Sequence, residues 1–327
     1  MYDYGLSILE QYGLTADTSG RTRGGLVCRM EQGSVIIKEF RGSEKKLEHQ
    51  QELLEKLSEK GHRVDFFLRN KEGGLVARDR DNIPYTVQKW YDGRECDTRS
   101  DGDILRSTGK LGRIHQDMFL NMETEYQVPD LKTSYVRHIR ELRKIRKFIR
   151  EKHPSCEFEM IYLNKVEVYL KSAQTALEML ESSASGKLAK EAQEKGTVCH
   201  GDYSHHNVLF LKDDMAVTNF NRWSLDIQAG DLYHFMRKIL EKHNWDCALG
   251  TEMLRAYHEY RKITREEWEY LKIRFTYPDK FWKLADYYYT HSKVWISAQS
   301  TEKLKNLVSQ KERWENFTKE CFTRYPF

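Results

Sequence analysis

The chain has 327 residues, 39% hydrophobic and 12% aromatic, which is enough for a sizeable core in one large or two modest domains and argues against a disordered chain. A net charge of only +4 supplies no global drive toward nucleic acid, and no apolar run approaches the length that spans a bilayer. Six scattered cysteines (Cys28, Cys96, Cys156, Cys199, Cys247 and Cys321), with no C-x-x-C or paired Cys/His spacing, argue against a structural zinc site and fit a reduced compartment. The opening Met-Tyr-Asp-Tyr-Gly-Leu lacks the basic-then-apolar order of a signal peptide, so synthesis in the cytosol is expected.

Residues from Met1 to about Thr18 read as one short helix, with Leu6, Leu9 and Tyr12 at helical spacing and Gly13 as its stop. Two strand-like runs, Leu26–Met30 and Val35–Phe40, flank Glu31-Gln32-Gly33-Ser34, the pattern of a hairpin with glycine in its turn. Ser43 caps a predicted helix to about Lys60, with Leu47, Leu54 and Leu57 on one face and Gly61 as terminator. Phe66–Leu68, Leu75–Ala77 and Tyr85–Trp90 read as further strands, and Trp90-Tyr91-Asp92-Gly93 as a hinge to a second lobe. The sequence therefore predicts an N-lobe over residues 1–92 and a helical C-lobe over 93–327.

After Cys96 the pattern is helical. Asp103–Phe119 carries Leu105, Leu111, Ile114 and Met118 at roughly helical spacing, and Gly109 and Gly112 mark close packing against a neighbour. Thr133–Lys152 is amphipathic and basic, with Val136, Ile139, Leu142, Ile145 and Ile149 as its stripe. Its charges, from Arg137 to Lys152, read as a solvated outer face or as a docking strip for an acidic partner or polyanion. Val166–Leu180 is another helix, and Lys187–Lys195 a polar connector.

The connector leads into the stretch 199–221: Cys-His-Gly-Asp-Tyr-Ser-His-His-Asn-Val-Leu-Phe, a polar turn, then Met-Ala-Val-Thr-Asn-Phe-Asn. Asp202, with Asn207 five positions on and an apolar strand after it, resembles the catalytic loop of kinase folds, where the Asp accepts the substrate hydroxyl proton and the Asn holds Mg²⁺. The His200-Gly201-Asp202 opening resembles the aminoglycoside phosphotransferase and choline kinase branch, and a lone His200 also reads as a satisfied buried histidine. The resemblance implies an α+β, two-lobed kinase-like fold with a small antiparallel-sheet N-lobe and a mainly helical C-lobe. It gives Lys38 the role of the strand lysine on the ATP phosphates and Trp90 a place at the hinge. Glu48 or Glu52 would pair with Lys38, unless Gln50 or Gln51 stands there. Asp231-Leu232 resembles the helix start whose Asp braces the catalytic loop.

In that branch the strand after the loop ends in a carboxylate that binds the catalytic metal; here Asn219-Phe220-Asn221 stands at its place. Mg²⁺ is held by one or two carboxylates plus substrate phosphates. An amide brings no charge, a loss of about several kcal/mol in a partly desolvated cleft, or several orders of magnitude in rate at about 1.36 kcal/mol per tenfold. No G-x-G-x-x-G is present either, only Gly24-Gly25.

The C-terminal third is helical and aromatic. Tyr277-Pro278-Asp279-Lys280-Phe281-Trp282, a tyrosine cluster at 287–289, Lys293-Val294-Trp295-Ile296-Ser297 and Glu302-Lys303-Leu304 resemble the CotS-type spore coat proteins, a branch of the phosphotransferase fold. That resemblance implies expression in the mother cell, deposition on the spore coat and other coat proteins as partners. Three functions follow: a coat or scaffold component with a degenerate metal site, an active small-molecule kinase using Asp202, or a pseudokinase that binds ATP without turnover. ATP and Mg²⁺ are thus weakened cofactor candidates, with Asn207 and Asn219 at the metal position.

Overall fold

The computed structural model describes residues 6–22, 24–121, 126, 128–290 and 298–327. Helix α1 (Ile8–Gln11) is a single turn burying Ile8 and Leu9, and the chain then enters a strand, β1 (Thr18–Thr22), where the sequence pattern places the end of a helix. Its Thr-Ser-Gly-Arg-Thr sequence has no apolar alternation, and the strand sits at a sheet edge, held by backbone pairing from Thr18↔Arg29 to Thr22↔Gly25. The predicted hairpin follows as β2 (Gly25–Met30) and β3 (Gly33–Glu39), with Gly33 at φ +126° in its turn. Helix α2 (Glu44–Glu59) starts where Ser43 Oγ accepts the Lys46 N–H, and buries Leu47, Leu54 and Leu57.

Three strands come next: β4 (Arg63–Val64), β5 (Val76–Arg78) and β6 (Pro84–Trp90). The N-lobe sheet is antiparallel with order β1-β2-β3-β6-β5. Phe66–Leu68, read as a strand, contributes only a bridge from Phe67 to Gln88. Strand β7 (Arg94–Glu95) follows the hinge segment, where Asp92 accepts hydrogen bonds from Arg29 and Ser34 and ties the hinge to the sheet.

The C-lobe runs α3 (Asp101–His115), α4 (Leu131–Lys152), α5 (Glu157–Ser182), α6 (Ser185–Glu194), β8 (Val198–Cys199), β9 (Val208–Phe210), β10 (Met215–Val217), β11 (Ser224–Leu225), α7 (Ala229–Leu240), α8 (Cys247–Tyr260), α9 (Arg265–Thr276), α10 (Asp279–Thr290), α11 (Ala298–Ser309) and α12 (Lys311–Cys321). The polar connector is therefore a helix, α6. Only Ser185 and Ala192 of it are buried.

The glycines of α3 do what their spacing predicted. A Cβ on Gly112 would lie 2.6 Å from the Tyr257 carbonyl, and one on Gly109 3.1 Å from Tyr260 Cε2, so α3 and α8 cross with almost no side chain between them. The aromatic signature packs α10 against α4 and α5. Tyr277 stacks on Tyr135 at 3.6 Å, Trp282 on His138 at 3.4 Å and Phe281 on Tyr169 at 4.0 Å. Leu304 is core, Tyr287 is exposed, and Trp295 lies outside the described residues.

Helix α4 is amphipathic as predicted, and much of its basic face carries its own counter-charge: Arg137 faces Glu141, Arg146 and Arg150 face Glu167, Lys147 faces Glu151 and Lys152 faces Glu159. No helix among the described residues is long and apolar enough to cross a membrane. A second sheet, β4-β10-β9-β7, joins strands from either side of the hinge, and it positions the site.

Candidate functional site

Between β8 and β9 the chain turns sharply at Gly201, whose φ is +78°. A Cβ there would meet the Arg222 carbonyl oxygen at 2.0 Å, so glycine is required by both torsion and space. Asp231, in the first turn of α7, accepts the His200 N–H at 2.6 Å and the Gly201 N–H at 2.9 Å. The Asp-Leu helix start thus braces the loop as its resemblance implied.

His200 is buried beneath the loop. Its Nδ1 accepts the Asp202 N–H at 3.2 Å, and its Nε2–H donates to the Thr218 carbonyl at 3.0 Å. Burial pushes its pKa down, so it is a neutral strut and does not line the cleft. Asn207 Nδ2 donates to the Asp202 carbonyl at 2.8 Å, and the Thr218 N–H donates to the Asn207 carbonyl at 2.9 Å. Loop and returning hairpin are one hydrogen-bonded unit.

Lys38, Trp90, Asp202, Asn207 and Asn219 line a single cleft of about 600 Å³. Asn219 sits in the left-handed region at φ 69°, ψ 53°, which asparagine tolerates better than most residues. Asn221 Nδ2 donates to Asn219 Oδ1 at 2.8 Å. The two amides that stand where the resemblance expects carboxylates are bonded to each other.

The expected partner of Lys38 is corrected. Glu48 is exposed and pairs with Arg69, and Glu52 pairs with Lys56 one turn along α2. Gln51 is spent on the Phe67 backbone, accepting its N–H at 2.7 Å and donating to its carbonyl at 3.0 Å. Lys38 Nζ instead lies 3.7 Å from Asp65 Oδ2. Strand β4 pairs parallel with β10, Arg63↔Ala216 and Val64↔Val217. One further step in that register brings Asp65 beside Thr218 and Asn219, and Asp65 Oδ2 accepts the Asn219 N–H at 2.9 Å. Asp65 is fully buried and, among the described residues, its Oδ1 has no hydrogen bond; burial raises its pKa to about 6 against the opposing pull of Lys38 and the Asn219 N–H.

A second cation, Lys238 of α7, also lines the cleft, and its Nζ donates to Asp202 Oδ1 at 3.2 Å. It lies seven residues after Asp231, two turns along the same helical face, so the residue that braces the loop also directs Lys238 toward it. Neither Asp65 nor Lys238 was picked out from the sequence. The only local hints were a carboxylate inside the apolar run Val64-Asp65-Phe66-Phe67 and the seven-residue interval in α7.

Asp226, next to β11, is a further, partly buried carboxylate; desolvation raises its pKa to about 6, and its Oδ1 accepts the Ile227 N–H at 2.8 Å. With a folded pKa above the ordinary carboxylate value, its contribution is fully present below about pH 4 and is lost as pH rises through about 6. Asp226→Asn keeps an acceptor and removes the charge. The stability of this variant relative to wild type should improve by about 2 kcal/mol between pH 4 and pH 7. Urea denaturation at both pH values measures this, and a pH-independent difference would refute it.

The family model described as spore coat putative kinase YutH matches residues 6–321. The chain belongs to this family. This YutH-type chain has no match among curated proteins. Among solved structures it is similar to the aminoglycoside phosphotransferase from Alicyclobacillus acidocaldarius, with a TM-score of 0.86 at 17% identity, covering 96% of this chain and 93% of that one. It also resembles a spectinomycin phosphotransferase solved with ADP and spectinomycin, with a TM-score of 0.66 at 13% identity and coverage of 95% and 97%. A microcompartment-associated aminopropanol kinase gives a TM-score of 0.64 at 11% identity, with 98% of each chain covered. At such identities the likeness is one of fold: two lobes, a small antiparallel sheet and a largely helical C-lobe.

Proposed function

We propose that this spore coat protein uses its phosphotransferase fold as a coat component with a degenerate metal site, and does not carry out Mg²⁺-dependent phosphoryl transfer. The observation that carries the reading is the Asn221 Nδ2 to Asn219 Oδ1 hydrogen bond of 2.8 Å. Two carboxylates placed so closely would repel unless a cation lay between them; two amides attract and close the position without one.

The donor set does not suit Mg²⁺, which prefers charged oxygens in octahedral array. Asn207, Asn219 and Asn221 are neutral, Asp202 is matched by Lys238, and Asp65 by Lys38. Among the described residues no three His, Cys, Asp or Glu side chains converge as a metal-holding group. An intact Asp202–Asn207 loop supports the rival reading of a small-molecule kinase, in which Asp202 would accept a hydroxyl proton. Against that rival, Lys238 already occupies one oxygen of this carboxylate.

The test combines turnover with assembly. ATP consumption over a panel of amino-alcohols, sugars and aminoglycosides should be equally at background for wild type and Asp202→Ala, and both should assemble on spores alike. Thermal shift with ATP should be nearly the same with and without Mg²⁺, where a ligand at a hundredfold excess over Kd would add about 2.7 kcal/mol. Wild-type turnover that vanishes in Asp202→Ala would overturn the proposal.

A further inference from the structure

The cleft contains two lysines, one from each lobe, each held by one carboxylate. Lys38 comes from β3 of the N-lobe sheet and is held against buried Asp65. Lys238 comes from α7 of the C-lobe and is held against Asp202. Both line the same space as Asn207 and Asn219. From these placements we propose that Lys238 supplies the positive charge at the phosphate end of the cleft, so that the site takes the polyphosphate chain of a nucleotide without a divalent cation. This rests on the metal-poor reading above and extends it to a ligand class and a residue.

The electrostatics favour that assignment. A dication is drawn to a site with surplus negative charge, and here Asp202 and Asp65 each have an ammonium, while Glu95 at the cleft edge is hydrogen-bonded to His206. A polyphosphate meets the reverse situation. Lysine is a compact point charge on a flexible stem and a common phosphate ligand. Lys238 and Asp202 are both partly solvated, with 36% and 31% of their side chains exposed, so the ammonium can exchange its carboxylate for a phosphate oxygen while Asp202 turns to water.

The neighbouring cation shows that this orientation is specific. Arg237 points the other way, into the C-lobe, where it is buried against Glu241 and Asp279. Successive helical residues face about 100° apart, so only one of the two can reach the cleft. Asp231, seven positions before Lys238 on the same face and fixed to the loop by His200 and Gly201, makes that one Lys238. The apolar side chains Ile36, Trp90 and Leu209 in the same cleft provide surfaces for a flat base.

Isothermal titration of the full chain in EDTA, with ATP, inorganic tripolyphosphate and adenosine as probes, tests the proposal. ATP should bind in EDTA, Lys238→Met should weaken it at least tenfold, and Lys238→Arg should retain most of the affinity. Adenosine affinity should be unchanged by Lys238→Met, and tripolyphosphate should show the same Lys238 dependence as ATP. The melting temperature of each variant, with both partners partly solvated, verifies folding. If Lys238→Met binds ATP as wild type does, or if ATP does not bind in EDTA at all, the inference fails while the metal-poor reading stands. If Mg²⁺ raises wild-type affinity tenfold or more, the metal-poor reading fails as well.

Discussion

Asp231→Ala is expected to cost about 3–5 kcal/mol of folding stability, the range found when one partner is removed from a buried charged network. Asp231 is 2% exposed and accepts three hydrogen bonds: from the His200 N–H at 2.6 Å, the Gly201 N–H at 2.9 Å and His115 Nε2–H at 3.3 Å. His115 is itself buried, and its Nδ1 accepts the Tyr257 hydroxyl at 2.7 Å. Alanine would leave two backbone donors and an imidazole N–H without partners in a dry interior, each costing about 1–3 kcal/mol. Asp231→Asn keeps one acceptor oxygen and should lose roughly half as much.

The pH dependence of this network has a defined sign. Burial pushes the Asp231 carboxyl up, but the hydrogen bonds it accepts from His115 and from the loop N–H groups outweigh that, so its pKa is lowered. Its stabilisation is therefore present above about pH 4, the ordinary carboxylate value, and is lost as pH falls toward the lower folded value. Chemical denaturation of the three proteins between about pH 2 and pH 7, which spans the window in which a depressed carboxylate loses its stabilisation, measures both effects. A loss below about 1 kcal/mol for Asp231→Ala would mean that water replaces the carboxylate, and the brace would not be structural.

Restoring the missing carboxylate should give the largest functional change. In Asn219→Asp, the Asn221 amide can still donate to the new carboxylate, so the local geometry survives. Without a cation the variant should be less stable than wild type, because residue 219 lies against the buried Asp65 carboxylate through its own N–H. With Mg²⁺ present that cost becomes a gain, and Mg²⁺-dependent ATP binding should rise at least tenfold to a hundredfold, equivalent to about 1.4–2.7 kcal/mol. Adding Asn221→Asp removes the bridging donor and should deepen both the metal-free loss and the Mg²⁺ response.

Thermal shift of wild type and both variants, with and without Mg²⁺, gives the answer directly. Any turnover that appears in Asn219→Asp should fall about 10²–10⁴-fold on adding Asp202→Ala, the usual contribution of a positioned base. If wild type and Asn219→Asp respond identically to Mg²⁺, the amide at 219 is not what distinguishes this site.

Much of the fold was legible because its signals are short-range. The β2–β3 hairpin shows as two apolar runs around a glycine turn, α2 as a capped amphipathic stretch, and the α3–α8 crossing as two glycines on one helical face. The family signature near residue 280 was equally local, and its aromatic rings turned out to be the surface that seats α10 on α4 and α5. Strand β1 was missed because its polar residues show no apolar alternation and it is held by backbone pairing; helix α6 was missed because it is short and only Ser185 and Ala192 of it are buried.

The site divides along the same line. Asp202, Asn207 and Asn219 lie on one loop and hairpin, so their spacing determined that they meet, and the amides standing where the resemblance expects carboxylates could be read residue by residue. The partners that set their charge come from further away: Asp65 reaches Asn219 across 154 residues, and Lys238 reaches Asp202 across 36. Glu48 and Glu52 had the right chemistry and the right helix, but their side chains point to Arg69 and Lys56. Sequence by itself determined which groups stand on the loop and hairpin, the amides at 219 and 221 among them. Only the tertiary structure, through the parallel register of β4 with β10 and the helical face shared by Asp231 and Lys238, decided which charges stand in the cleft, because an ion pair depends on distance in space and carries no trace in local spacing.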